Sequence, residues 1–222
     1  MNKQLEYQKL VSARKACRLC KEYGMTNQSA TQFDSASIGK WTDWQGNIDA
    51  KVMVIGQDWG SLDYWNKNQG NGTDTNPTNC NLMQLSGILG FDIGVVSNPN
   101  RSEPIFFTNS VLCLKDGNMS SPVLKKCYYN CGSKFLKPQI DIIKPQVIIS
   151  LGYAPYASIL ELYRPIGIDQ IRPLRDVIRK EPINFHDEDF KLFPVYHCGG
   201  LGLANRKLDE QKKDWENIKR WL

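Results

Sequence analysis

The chain has 222 residues, 41% of them hydrophobic, which is enough to bury the core of one sizeable α/β domain. The net charge of +5 permits an anionic partner such as nucleic acid but does not require one. No apolar run approaches the length of a membrane span, and the N-terminal residues MNKQLEYQKL lack the apolar core of a signal peptide. We therefore expect a cytoplasmic protein with no membrane partner.

The sequence pattern predicts helices and strands that alternate along the chain. Short apolar runs predict buried strands at 51–55, 105–112, 146–152 and 192–196, and the run at 52–55 is mostly β-branched and carries no charge. Apolar residues at helical spacing predict helices at 3–24, 81–89, 132–143, 153–162 and 208–222. Polar, Gly-rich or charged stretches predict long loops at 25–50, 59–80 and 164–189. The alternation predicts a single α/β domain, residues 1–222, with a central, mostly parallel four-stranded sheet flanked by helices.

Polar side chains lie at the carboxyl ends of three of these strands, where open α/β sheets bind ligands. Asp58 follows the first strand, Asn109 lies in the second, and His197 follows the last. A carboxylate can stabilise a cationic sugar, an amide can pair with the edge of a nucleobase, and an imidazole can donate to a developing anion. This combination suits an enzyme that reads a base and cleaves it from its sugar. Each residue also has a structural alternative: a turn for Asp58 or Asn109, and a core position for His197.

Four motifs resemble the uracil-DNA glycosylase superfamily, most closely its iron–sulfur branch, often called family 4. They are GQDWG at 56–60, FFTNSVLCLK at 106–115, FLKPQIDIIKPQVIISLG at 135–152 and VYHCGGLGLANR at 195–206. The resemblance spans most of the chain. It implies an enzyme that hydrolyses the N-glycosidic bond of a flipped uracil or related modified base in DNA and leaves an abasic site.

The resemblance also implies roles for individual residues. Asp58 would orient the attacking water and stabilise the oxocarbenium ion, and His197 would donate to the departing base. Asn109 would read the base, and we group Gln57 with it as a base-binding residue.

The DNA contacts are expected in the loop after the histidine. Leu201 and Leu203 are candidate wedges between bases, since inserted apolar side chains distort a duplex. Arg206 and Lys207 would hold the flanking phosphates. The partner is therefore DNA, and we expect the protein to act as a monomer.

The chain departs from the family pattern at the position of an aromatic residue that stacks on the flipped base. The family usually carries a Phe about a dozen residues past the first motif, whereas the loop here reads NQGNGTDTNPTN. Tyr64 or Trp65 would stack instead, unless both only pack the loop. The departure leaves a second target open, a bulky modified pyrimidine such as one found in foreign DNA.

Seven cysteines are many for a cytosolic chain, in which disulfides rarely form. Metal binding or buried thiols remain as explanations. The resemblance implies a [4Fe–4S] cluster held by Cys17, Cys20, Cys113 and Cys131. The same thiolates would suit a structural zinc ion, and Cys127 is a rival to Cys131 as the fourth ligand. A non-catalytic iron–sulfur DNA-binding protein and a zinc-bound structural protein therefore remain alternatives to an enzyme.

Overall fold

A computed structural model describes residues 2–164, 170–178 and 181–222 of the chain. The helices are α1 (Lys3–Ala16), α2 (Lys40–Trp44), α3 (Leu62–Lys67), α4 (Pro77–Leu89), α5 (Lys125–Cys131), α6 (Lys137–Ile143), α7 (Tyr153–Tyr163), α8 (Gly200–Asn205) and α9 (Leu208–Lys219). The strands are β1 (Met25–Asn27), β2 (Val52–Gly56), β3 (Gly94–Val95), β4 (Asn98–Pro99), β5 (Ile105–Asn109), β6 (Cys113–Lys115), β7 (Val147–Leu151), β8 (Ile183–Asn184) and β9 (Lys191–Val195). Short 3₁₀ turns occur at Lys21–Tyr23, Gln28–Ala30 and Leu174–Asp176, and a π-helical turn, Gly132–Leu136, joins α5 to α6.

The central sheet of the described chain has five strands in the order β5–β2–β7–β9–β8. The first four run parallel and lie where the sequence predicts strands. The fifth, β8, pairs antiparallel with β9 and makes the sheet mixed. The predicted count of four strands was therefore too low, because a strand of two residues is too short to give a period-two pattern.

Helices cover both faces of this sheet, which explains why its described strands contain no charged residue apart from Lys191 at the start of β9. Every residue of β2, β5 and β7 is buried. Alternate residues of β2 face opposite apolar cores. Met53 and Ile55 face the core that includes α1 and α6, whereas Val52 and Val54 face the core that includes α4 and α9.

All three predicted loops contain helices or strands. The segment 164–189 includes β8, and its residues 165–169 and 179–180 lie outside the described residues. The segment 59–80, expected to be irregular, includes α3 and the start of α4. The hydroxyl oxygen of Ser61 accepts a hydrogen bond of 3.2 Å from the backbone N–H of Tyr64, so it caps α3. The segment 25–50 contains β1 and α2. The first helix is shorter than predicted, because the backbone becomes extended at Cys17.

The sheet topology brings four loops to one edge. Gly56 and Asn109 are partners at the ends of β2 and β5, and Leu151 and Val195 are partners at the ends of β7 and β9. The chain segments that follow these strands therefore leave the sheet side by side. None of the helices in the described ranges has the length and apolar character needed to cross a membrane.

Candidate active site

A cleft of about 570 Å³ opens at the carboxyl ends of the parallel strands. Asp58, Asn109 and His197 all line it, as expected if the three strand ends meet. The other predicted site residues that line it are Gln57, Tyr64, Trp65 and Leu201. The cleft is a concave site of the size that small ligands occupy in proteins.

Asp58 is held in place by three neighbours. Its side chain is only 5% exposed. The backbone N–H of Gly60 donates to Oδ1 over 2.7 Å, and the side-chain amide of Gln57 donates to Oδ2 over 2.8 Å. The ammonium of Lys115 lies 3.4 Å from the same Oδ2. Gln57 therefore directs one N–H to Asp58, which leaves its second N–H and its amide oxygen for a base.

Asn109 lines the cleft and carries a buried polar atom that has no partner in the described part of the chain. The residue is 1% exposed, and its Oδ1 has no hydrogen-bond partner among the described residues. Buried polar groups are almost always paired, so an unpaired carbonyl oxygen at a cleft suits a ligand that donates a hydrogen bond. A Cβ atom at Gly56 would lie 2.3 Å from this oxygen. Glycine at position 56 is thus needed for the amide to take this position.

His197 is positioned as a neutral hydrogen-bond donor. The backbone N–H of Gly199 donates to Nδ1 over 2.9 Å, so a neutral ring carries its proton on Nε2. Burial lowers the pKa of His197 below its usual value, and the nearby charge of Asp58 only partly opposes this. A Cβ atom at Gly202 would lie 1.6 Å from the carbonyl oxygen of His197, so α8 can approach the histidine only with glycine there.

Aromatic side chains form much of the remaining wall. Trp65 is buried, and its indole N–H donates to the Thr31 hydroxyl over 3.2 Å, which fits a packing role. Tyr64 is more exposed and retains an accessible ring. Trp41 and Trp59, which were not predicted as site residues, also line the cleft and meet edge to face at 6.3 Å. The sequence did contain a signal, since four of the six tryptophans lie within residues 41–65 and all four line this cleft.

Lys115 was also missed, although it lies in the motif FFTNSVLCLK. It is the last residue of β6, and it lines the cleft beside Asp58. A three-residue strand gives no pattern that would place a lysine in a site.

The predicted DNA contacts differ in their surroundings. Leu201, on α8, is 85% exposed at the cleft, whereas Leu203 is half-buried and lies outside the cleft lining. Arg206 forms two hydrogen bonds to Asp214, of 2.6 and 2.8 Å, so this pair would have to open before its guanidinium could bind a phosphate fully. Lys207 is exposed at the start of α9 and lies outside the cleft lining.

The four predicted metal-binding cysteines line a second, smaller cavity of about 90 Å³: Cys17, Cys20, Cys113 and Cys131. Cys127 is buried close to Cys20 but does not line this cavity. Burial and the neighbouring thiols raise the pKa of Cys113 to about 12. Within the described residues, no group of three or more His, Cys, Asp or Glu side chains is arranged to hold a single metal ion. Cys80 and Cys198 lie away from this cavity.

A sequence model of the uracil DNA glycosylase superfamily matches residues 80–221, which is more than half of the chain. The protein therefore belongs to the uracil DNA glycosylase superfamily. No curated protein matches the chain. Asn109 and His197 lie inside the matched range, whereas Asp58 precedes it. Superfamily membership indicates a DNA glycosylase that acts on DNA, and it is consistent with the mixed α/β sheet flanked by helices.

Proposed function

We propose that the protein is a single-domain, monomeric, cytoplasmic DNA glycosylase that hydrolyses the N-glycosidic bond of a flipped uracil or related modified base. The product would be an abasic site in DNA. The observation that carries the proposal is the unpaired Oδ1 of Asn109 in a cleft that also contains Asp58 and His197. An acceptor for a base, an anion for a cationic sugar and a donor for a departing anion are the groups this hydrolysis requires.

The reaction would begin when the target nucleotide leaves the duplex and enters the cleft. Oδ1 of Asn109 would accept a hydrogen bond from the base edge, and a ring such as that of Tyr64 would stack on its face. As the C1′–N bond breaks, positive charge develops on the sugar near Asp58 and negative charge on the base near Nε2–H of His197. Water then adds its oxygen to C1′ and gives up one proton. That proton is relayed to the departing base and converts it into the neutral free base.

DNA binding would combine general electrostatic attraction with one apolar insertion. The net charge of +5 favours a salt-dependent contribution from phosphate contacts. Leu201 is the better wedge candidate because it is exposed at the cleft, whereas Leu203 is partly packed. Of the two basic residues, Lys207 is the more available, since Arg206 is paired with Asp214.

The size of the cleft favours a second candidate substrate, a bulky modified pyrimidine. Its lining continues past Asp58 and Asn109 to small and polar residues of the segment between α3 and α4 and the start of α4: Gly70, Asn71, Gly72, Asn76, Thr78 and Asn79. Amide and hydroxyl groups there could hydrogen-bond a polar substituent on the base. The same enzyme chemistry would then act on a larger target.

Four cysteines around one cavity support a [4Fe–4S] cluster held by Cys17, Cys20, Cys113 and Cys131, and hence a place in the iron–sulfur branch. The same thiols would also suit a structural zinc ion, and metal analysis of the purified protein distinguishes the two. A bound cluster would supply a cross-link between the end of α1, β6 and the end of α5.

A panel of oligonucleotides tests the proposed function. Each duplex carries one candidate base, either uracil or a larger modified pyrimidine, and alkali converts abasic sites into strand breaks. We expect cleavage at one or a few of these bases and none at unmodified cytosine or thymine. Absence of alkali-sensitive sites on every duplex and on the matching single strands would contradict the proposal and favour the non-catalytic DNA-binding alternative.

A further inference from the structure

Lys115 and Asp58 form an ion pair that is almost fully withdrawn from solvent. Their side chains are 7% and 5% exposed, and Nζ lies 3.4 Å from Oδ2. The same ammonium donates a hydrogen bond of 2.7 Å to the carbonyl oxygen of Met119. Pairs buried to this degree depend strongly on both members, because removing one leaves an uncompensated charge.

The backbone of Lys115 reinforces this pairing. Its N–H donates to the carbonyl oxygen of Gly60 over 2.9 Å, and the N–H of Gly60 donates to Oδ1 of Asp58 over 2.7 Å. A β-bridge joins Ser61 to Lys115 at the same point. Lys115 therefore holds the loop that carries Asp58 through its main chain, and holds the carboxylate through its side chain.

The other groups that face Asp58 do not supply a positive charge. His197 approaches it, but burial disfavours the charged form of the imidazole. Burial, and to a smaller extent the charge of Asp58, raises the pKa of Tyr128, so this phenol carries no positive charge. Lys115 is thus the only cation that forms an ion pair with Asp58 among the described residues.

We propose that Lys115 is a positioning residue that fixes the direction of the Asp58 carboxylate toward the sugar. The inference rests on the proposed function, because Asp58 acts there as an anion. Oδ2 is fixed by Lys115 and Gln57, and Oδ1 by Gly60, so the carboxylate is preorganised before substrate arrives. Met119 aims the ammonium, because its carbonyl oxygen takes one of the three N–H groups.

The first test compares Lys115→Met and Lys115→Arg with the wild-type protein. In single-turnover excision, we expect Lys115→Met to slow base release by about 10- to 100-fold, whereas Lys115→Arg recovers most of the rate. We also expect DNA affinity to be unchanged in Lys115→Met, since the lost contact orients Asp58 and does not bind the substrate. Lys137→Met, which removes an exposed ion pair with Asp141 on α6, is the matched control and should follow the wild type.

A purely structural role would lower the fraction of folded protein but would leave the rate constant of the folded fraction unchanged. A folded Lys115→Met protein that releases base at the wild-type rate, or an equal loss in Lys115→Arg, would therefore overturn the inference. If Lys115→Met releases base more slowly but binds DNA with unchanged affinity, Lys115 positions Asp58 and does not contact a phosphate. If the variant loses only DNA affinity, the inference is overturned.

The second test does not depend on activity, so it separates this inference from the proposed function. Urea unfolding midpoints are measured for Lys115→Met, Asp58→Asn and the double variant at pH 7. We expect the double variant to be no less stable than the more damaged single variant, because removing both charges leaves neither unpaired. Additive midpoint shifts would overturn the pairing even if the wild type releases a base. If the wild-type protein releases no base but the variants show this coupling, the proposed function is rejected and the pairing of Lys115 with Asp58 is retained.

Discussion

The backbone N–H of Gly199 donates a hydrogen bond to Nδ1 of His197, at 2.9 Å. This contact leaves Nε2 as the nitrogen that carries the proton of a neutral ring, and so fixes which atom can donate to a substrate. A Cβ atom at Gly199 would lie 2.8 Å from Cε1 of the imidazole. The tight turn after β9 therefore both orients the histidine and selects its tautomer.

The lowered pKa of His197 predicts a specific pH dependence of stability. Between this lowered value and the usual value of about 6.5, the unfolded chain binds a proton that the folded protein does not. The free energy of unfolding should therefore fall as the pH falls through that window, by up to about 1.4 kcal/mol per unit of pKa difference. Urea unfolding of the wild type and of His197→Gln at pH 7.5 and 5.5 measures this effect.

The second histidine of the chain provides the control for this measurement. His186 is exposed, and its removal in His186→Gln should leave the pH dependence of the wild type unchanged. Equal pH dependence in the wild type and in His197→Gln would show that burial of the imidazole does not favour its neutral form.

Close packing of α8 on His197 predicts that Gly202→Ala is damaging. Its Cβ would lie 1.6 Å from the carbonyl oxygen of His197, so the histidine or the helix must move. We expect a loss of stability of about 1–3 kcal/mol and slower base release. Gly200→Ala, in the same helix, is the control, since its Cβ meets no described atom within 4 Å. Equal unfolding midpoints for the two variants would contradict this packing.

Replacement of the cleft carboxylate should abolish most of the reaction without abolishing the fold. Asp58→Asn keeps the size of the side chain but removes the charge that favours a cationic sugar, and we expect base release to slow by on the order of 10²-fold or more. Single-turnover assays of folded protein measure it, with Asp187→Asn at an exposed position as the control. Full activity of purified Asp58→Asn would show that the Asp58 carboxylate has no catalytic role.

The cysteine cavity predicts which thiols would hold the proposed cluster. The purified protein should be brown, with absorbance near 400 nm, and should contain about four iron atoms per chain. Cys113→Ser and Cys131→Ser should lose this absorbance, whereas Cys80→Ser, outside the cavity, should retain it. Loss of iron in Cys127→Ser but not in Cys131→Ser would reverse the choice of fourth ligand. Colourless protein with stoichiometric zinc would contradict the cluster.

The exposure of Leu201 predicts a role in DNA distortion but little role in folding. Leu201→Ala should change stability by less than about 0.5 kcal/mol, because the side chain is 85% exposed. It should slow base release from duplex DNA more than from single-stranded DNA, since only a duplex must be opened. Leu5→Ala, at an exposed position on α1, is the control, and an unchanged ratio of duplex to single-strand rates would exclude the wedge.

The position of the site could be predicted from the sequence because parallel strands share one edge. Asp58, Asn109 and His197 lie at strand ends, and any parallel arrangement of those strands brings them to the same side. Because the four parallel strands are buried on both faces, their sequences are short apolar runs, and such runs are easy to recognise.

The site residues that the sequence did not predict are placed by contacts between segments that are short or far apart in the chain. Lys115 meets Asp58 only because β6 joins the loop after β2, and three residues carry no period. Trp41 reaches the cleft from α2, a five-residue helix inside a segment that was expected to be a loop. The pairing of Arg206 with Asp214 depends on how α9 begins, which charge patterns alone do not reveal.

Direct detection of the released base tests the central claim most closely. Duplex DNA that carries uracil or a larger modified pyrimidine is incubated with the wild type and with Asp58→Asn, and the free base and the abasic strand are quantified by mass spectrometry. We predict equal amounts of free base and abasic DNA from the wild type, and about a hundredth of that rate or less from Asp58→Asn. No free base from any substrate, or equal rates from both proteins, would contradict the account.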